Sequence, residues 1–162
     1  MLIKAFAKAC ETNANITLDI YGKGEDAYVN ELQKLIDELG MTGRICLCGR
    51  TDNMHKVLME SDAFIMSSNY EGMPNALAEA MAVGLVCIST DCKTGPRDLI
   101  KDGENGFLTA VGDVDAMAEK IKTVINLDEY EIKKIGTDAR TFVTDLCGRE
   151  NSLNKLIEAI ES

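Results

Sequence analysis

Short apolar runs alternate with helical patterns along most of this chain, and that alternation limits the folds open to it. Four runs, Ile16–Tyr21, Arg44–Cys48, Ala63–Ser67 and Leu85–Ser89, are dominated by apolar residues. Each is followed by a glycine-rich or polar segment and then by a helical pattern. After the first run, Tyr28, Val29, Leu32, Leu35, Ile36 and Leu39 recur at helical spacing and Gly40 ends the helix. Such alternation predicts an α/β fold, a Rossmann-like parallel sheet with helices on both faces. Strands this short and apolar suit a sheet covered on both sides. The polar segments 22–24, 49–53, 67–73 and 90–95 all follow strands. In open α/β sheets the ligand lies outside the carboxyl ends of the strands, so these loops mark one binding edge.

The rest of the chain fits the same scheme. A helix is expected over residues 2–11, with Leu2, Ile3, Phe6 and Cys10 on one face. Asp52 or Asn53 should cap a short helix ending near Glu60, and Pro96 should start another through Ile100. Phe107–Thr109 reads as a last strand, followed by helices at about 113–126, 128–146 and 150–161. With 162 residues, 46% of them hydrophobic, the chain suffices for one domain, residues 1–162, with a helical tail over about 128–162. The net charge of −10 argues against a nucleic-acid surface. No apolar run approaches bilayer-spanning length, and the start lacks a signal-peptide pattern, so a cytoplasmic location is expected. Peripheral membrane contact of a full enzyme, and a homodimer, stay open.

The stretch Ser67–Gly84 carries the most chemistry. An apolar strand enters a polar turn, and Pro74 opens an alanine-rich helix, where its missing N–H suits the first helical position. The helix N-terminal amides and the helix dipole make a ready site for phosphate. Glu71 in the turn and Glu79 in the helix would repel phosphate but accept hydrogen bonds from hydroxyls on either side of it. A nucleotide sugar has that layout, with the diphosphate between ribose and hexose. Glu79 stands among Ala76, Leu77, Ala80 and Met81, and needs solvent or a donor.

Other groups read less sharply. Gly22-x-Gly24 follows a strand without the third glycine of a dinucleotide fingerprint, so a tight turn and a ligand approach both fit. Asp113-x-Asp115 precedes a helix and reads as a cap with a dipole partner rather than a metal clamp. His55 reads as a surface or half-buried residue. Lys93 and Arg97 flank the binding edge; solvated charge is the more common explanation for each, and both could reach an anionic ligand. The six cysteines form no Cys-x-x-Cys pair and there is one histidine, so no metal is expected. The thiols read as small buried hydrophobes, Cys92 being the one expected to be exposed.

The string Ser68-x-x-Glu71-Gly72-Met73-Pro74-Asn75-Ala76-Leu77-x-Glu79-Ala80-Met81-Ala82-x-Gly84 closely resembles the signature of retaining glycosyltransferase family four, the group 1 glycosyltransferases. Asp62-Ala63, Ile88–Cys92, Gly95-Pro96, Asp102-Gly103-x-Asn105-Gly106, Leu2-Ile3-x-Ala5-Phe6, Gly22-x-Gly24 and Leu39-Gly40 with Arg44 fit the same pattern. The resemblance implies the carboxy-terminal, donor-binding domain of a two-domain GT-B enzyme in polysaccharide biosynthesis. It implies that Glu71, the candidate catalytic residue, contacts donor-sugar hydroxyls and that Glu79 contacts the ribose. Amides of Gly72, Met73, Asn75 and Ala76 would line diphosphate and sugar. Gly22 and Gly24 would approach the donor, and Gly49, Arg50 and Thr51 would meet the base. The family needs no metal or cofactor beyond the nucleotide-diphosphate sugar. Its donor domain opens with a strand and a Gly-Arg…Lys segment, which do not occur in these residues. The chain is therefore expected to lack the first strand and the amino-terminal acceptor domain, and to have little activity alone. A non-catalytic Rossmann-like binding or interaction module is the alternative.

Overall fold

A computed structural model describes residues 1–11 and 15–147. The predicted helix at 150–161 lies outside the described residues. Element order is α1 (Leu2–Cys10), β1 (Leu18–Tyr21), α2 (Asp26–Glu38), β2 (Ile45–Gly49), α3 (Met54–Met59) and β3 (Ala63–Met66). It continues with α4 (Asn75–Ala82), β4 (Val86–Thr90), α5 (Pro96–Leu99), β5 (Phe107–Thr109), α6 (Val114–Ile125) and α7 (Glu129–Cys147). The fold is thus the expected parallel α/β alternation. Asn53, rather than Asp52, caps α3, accepting from the Lys56 N–H at 3.1 Å. Asp113 caps α6 through the Ala116 N–H at 2.9 Å. Asp115 pairs with Lys8 on α1 at 2.5 Å. No helix among the described residues is long and apolar enough to cross a membrane.

All strand pairs are parallel, but they form two sheets. In one, β1 pairs with β2; in the other, β4 lies between β3 and β5. Among the described residues no ladder joins β1 to β3. Helix α1 packs on both pieces. Its Ile3, Phe6 and Cys10 join Ile36 and Ile45 on the β1–β2 side. Ala5 and Ala9 join Val86, Ile88 and Met117 on the other. The two stripes follow from the 3.6-residue period, which turns positions 3, 6 and 10 away from 5 and 9.

The three-stranded sheet is covered on both faces. Along β4, Val86 and Ile88 point into the α1–α6 core, and Cys87 into the α4–α7 core. The α4–α7 crossing is close: a Cβ added at Gly136 would stand 2.1 Å from the Gly84 carbonyl oxygen. The two-stranded sheet is covered on one face. Leu18, Ile20, Ile45 and Leu47 turn toward α1 and α2, while Asp19 and Cys46 on the opposite face are exposed. Over the first turn of α2 the expected apolar stripe stays exposed, with Tyr28 57% and Val29 36% accessible.

Two cysteine expectations are overturned. Cys92 is buried, because its side chain folds under its own loop toward the Thr94 carbonyl. Cys46 is exposed, because among the described residues no helix covers its face of the two-stranded sheet. Cys10 and Cys87 are buried, as expected.

Candidate functional site

The site is built around the turn between β3 and α4. Thr90, the last residue of β4, donates its hydroxyl to the Ser68 carbonyl at 2.5 Å. Ser68 in turn donates its hydroxyl to the Glu71 carboxylate at 2.5 Å. The Thr94 hydroxyl donates to the Glu71 carbonyl. Glu71 is thereby held at both side chain and backbone, by one residue of its own loop and one of the next. Gly95 completes the union: a Cβ there would stand 2.5 Å from Pro74 Cδ, and its φ of +95° strains any other residue. The Gly95-Pro96 pair thus allows the 90–96 loop to lie against the 67–74 loop.

Pro74 is the N-cap of α4 rather than its first residue, because its ψ of 69° is not helical. The Asn75 amide turns back onto the Met73 carbonyl at 2.9 Å, and helical bonding starts from Ala78 to Pro74 at 3.0 Å. Of the amides expected to line the ligand, that of Asn75 is therefore already engaged. Among the described residues, those of Gly72, Met73 and Ala76, with that of Leu77, donate to no protein acceptor. They carry the positive end of the helix dipole. Tyr70 and Met73 beside Glu71 are 73% and 66% exposed. Tyr70 was not singled out in the sequence, where a lone tyrosine in a polar turn carries no signal.

Glu79 is half-buried on α4, and burial alone raises its carboxyl above the usual range. It has no hydrogen bond or ion pair among the described residues. A carboxylate so placed suits a ligand donor rather than a structural one.

The other candidate residues gather at the ends of β1 and β2. The Gly22 N–H donates to the Gly49 carbonyl at 2.8 Å, joining the two turns. Gly49 has a φ of +68°, a conformation that favours glycine. The Thr51 hydroxyl accepts from the Asn53 N–H at 3.1 Å, and so shapes the entry to α3. Arg50 is exposed and makes no ion pair among the described residues. Gly24 packs beside Val29, where an added Cβ would lie at 3.3 Å. The structure thus groups the site residues as 71–76 with 90–96, and 22–24 with 49–51. Each group lies at the carboxyl ends of its own sheet.

The neighbouring cations separate. Arg97 is bound to Asp91 through two hydrogen bonds of 2.8 and 2.6 Å. Lys93 is exposed and makes no ion pair among the described residues. The Asp102–Gly106 segment is scaffolding. Asn105, buried, donates to the Leu99 carbonyl and accepts from the Lys101 N–H at 2.7 Å. Asp102 accepts from the Leu108 N–H at 2.9 Å. His55 is exposed on α3.

With this geometry in view, comparison with known proteins is informative. The family described as "Glycosyl transferases group 1" matches residues 1–141. A putative glycosyltransferase of Bacillus subtilis, EpsD, is 33% identical over 139 residues, which are 86% of this chain and 35% of EpsD. An uncharacterized glycosyltransferase of Methanocaldococcus jannaschii is 42% identical over 99 residues, 61% of this chain and 24% of the relative. The crystal structure of TarM superposes with a TM-score of 0.85 at 26% identity, covering 99% of this chain and 32% of TarM. The pneumococcal O-GlcNAc transferase GtfA, solved in complex with UDP and GlcNAc, gives a TM-score of 0.80 at 25% identity over 98% of this chain and 32% of GtfA. The chain thus spans about a quarter to a third of the length of these proteins.

Proposed function

The chain belongs to the group 1 glycosyltransferases, enzymes of glycosyl transfer, and we propose that it is the donor-binding half of a retaining hexosyltransferase acting on a glycan, lipid or other acceptor. The observation that carries this reading is Glu79: a half-buried carboxylate with no hydrogen bond or ion pair among the described residues, on the helix where the Ala76 and Leu77 amides donate to no protein acceptor. Those amides and the helix dipole suit the diphosphate of a nucleotide sugar. Glu79 accepts from the ribose hydroxyls on one side. Glu71, braced by Ser68 and Thr94, accepts from the donor-sugar hydroxyls on the other. The paired turns at Gly22 and Gly49, with Arg50 and Thr51, receive the base. A matching relative of Staphylococcus aureus is named poly(ribitol-phosphate) alpha-N-acetylglucosaminyltransferase and GtfA was solved with UDP and GlcNAc, which supports a nucleotide-sugar donor.

Acceptor binding and full transfer are assigned to a second domain, because the matched relatives are about three times longer. In this reading residues 1–162 form one carboxy-terminal domain of a two-domain enzyme. In this reading the unengaged amides, with the exposed Lys93 on the neighbouring loop, supply the positive potential that faces the diphosphate. Calorimetry with UDP- and GDP-sugars at millimolar concentration tests this. One donor class should bind, and Glu79→Ala should lower its affinity by about ten- to a hundredfold, the value of a hydrogen bond to a charged group. Absence of binding by every donor, or equal binding by Glu79→Ala, overturns the reading.

A further inference from the structure

Asp19, Cys46 and Cys48 stand on the open face of the β1–β2 pair, and the donor site uses none of them. Asp19 and Cys46 are direct partners across the two strands. Cys48 comes two residues later and shares their face. Between Ile20 and Tyr21 the register slips, so that Tyr21 pairs with Gly49 and Cys48 is left over. A bulge re-aims the side chain it leaves unpaired. The carboxylate and both thiols thereby come within 4.8 Å of one another. The Cys48 thiol donates to the Cys46 carbonyl at 3.7 Å. Asp19 and Cys46 are exposed and Cys48 is half-buried. Cysteines acting as hydrophobic filler are usually buried, as Cys10 and Cys87 are here.

We propose that Asp19, Cys46 and Cys48 form a three-ligand site for zinc or another thiophilic divalent cation. Tetrahedral zinc with Zn–S bonds of ~2.3 Å sets its two sulfurs ~3.8 Å apart. The observed cluster, with its three ligand atoms within 4.8 Å of one another, lies near that spacing. Two thiolates with one carboxylate suit zinc-like ions rather than magnesium or calcium. The fourth position is left to water. Each thiol gives up one proton as its sulfur–metal bond forms, so two protons leave per ion and no atom changes oxidation state. Spacing along the chain hid this site: Cys-x-Cys is not a common zinc pair, and the third ligand comes from another strand.

Cobalt titration of the reduced 162-residue chain tests the proposal. One ion should bind per chain, with a near-ultraviolet thiolate-to-cobalt band, release of two protons and displacement by zinc. The Cys46→Ser/Cys48→Ser double variant should lose the band and about a hundredfold or more in affinity. Asp19→Asn should keep the band and bind about tenfold more weakly. Cys92→Ser, at a buried thiol elsewhere, should bind as the parent does. Circular dichroism without metal checks that each variant folds, and Asp19→Asn carries the test should the double variant not fold. A full-strength band in the double variant, an unchanged affinity in Asp19→Asn, or no saturable band in the parent overturns the site.

Discussion

The two sheets differ in how completely they are covered, and the difference separates scaffold from edge. In the three-stranded sheet every residue of β4 is buried, between the α1–α6 core and the α4–α7 core. In the two-stranded sheet β1 has no buried residue, and β2 buries only Ile45. Every nonpolar residue in β4 has packing partners on its side of the sheet. Asp19, Cys46 and Cys48 have solvent on theirs. The β3–α4 turn therefore grows from a rigid platform, as a site that must hold amides and carboxylates in place requires. The turns proposed for the base grow from the thinner piece.

If this contrast is correct, glycine substitutions should differ sharply between the two pieces. At Gly136, the Gly84 carbonyl oxygen leaves no room for a Cβ. Helix propensity alone would favour alanine there by about 1 kcal/mol. Overpacking against backbone opposes it by about 3 kcal/mol or more, because neither α7 nor the turn at Gly84, with its φ of +85°, can give way. Gly136→Ala is therefore expected to be strongly destabilised in urea unfolding. At Gly43 nothing lies within 4 Å of an added Cβ, and only the φ of +81° opposes it. Gly43→Ala should lose about 1–2 kcal/mol. Equal losses at the two sites would dissolve the contrast.

The second comparison uses two carboxylates with opposite environments. Glu79, in the compact piece, is raised by burial. Asp37, on α2 beside the thin piece, is lowered by hydrogen bonds from Thr42 and then Gln33. A raised folded-state pKa means that the native state holds the proton more tightly. The resulting stability is fully present below the ordinary 4.5 and is lost as pH rises through the raised value. For Asp37 the sign reverses: its contribution is present above the ordinary 3.8 and is lost as pH falls through the lowered value. At neutral pH, Glu79→Gln should therefore be at least as stable as the parent, while its nucleotide-sugar binding falls. Asp37→Asn should be less stable and leave binding unchanged. Urea midpoints from pH 3 to 7 for both variants check the signs. A neutral-pH loss of stability in Glu79→Gln would mean that Glu79 is a structural residue.

How much of this was legible in the sequence depends on the range of the interaction. Element types and order, the cap at Asp113, the α3 cap to within Asp52 or Asn53, and the strand–turn–helix at Ser67–Gly84 are local, and periodicity with capping chemistry reveals them. The exposure of Cys46 was not legible, because alternation tells which residues share a face but not whether a helix covers it. The braces on Glu71 were not legible either. The hydroxyls of Thr90 and Thr94 reach across 22 and 23 residues, and any threonine in those loops reads the same in one dimension. Gly95 could be read as a turn residue, but its contact with Pro74 exists only once the two loops meet.

The smallest expected effect concerns whether the compact piece is equally well satisfied throughout. The Thr109 side-chain oxygen, at the end of β5, is buried and has no hydrogen-bond partner among the described residues. Its backbone is well used, since the Thr109 carbonyl accepts from the Asp91 N–H at 2.7 Å. A buried hydroxyl without a partner loses its hydration and gains nothing in return. Replacing it by a methyl group of nearly the same shape removes that loss and keeps the packing. Thr109→Val should therefore be neutral or more stable by up to about 1 kcal/mol in urea unfolding. A loss of more than about 1 kcal/mol would mean that the hydroxyl is satisfied in solution, and that the β5 end of the compact sheet admits water as the β1–β2 face does.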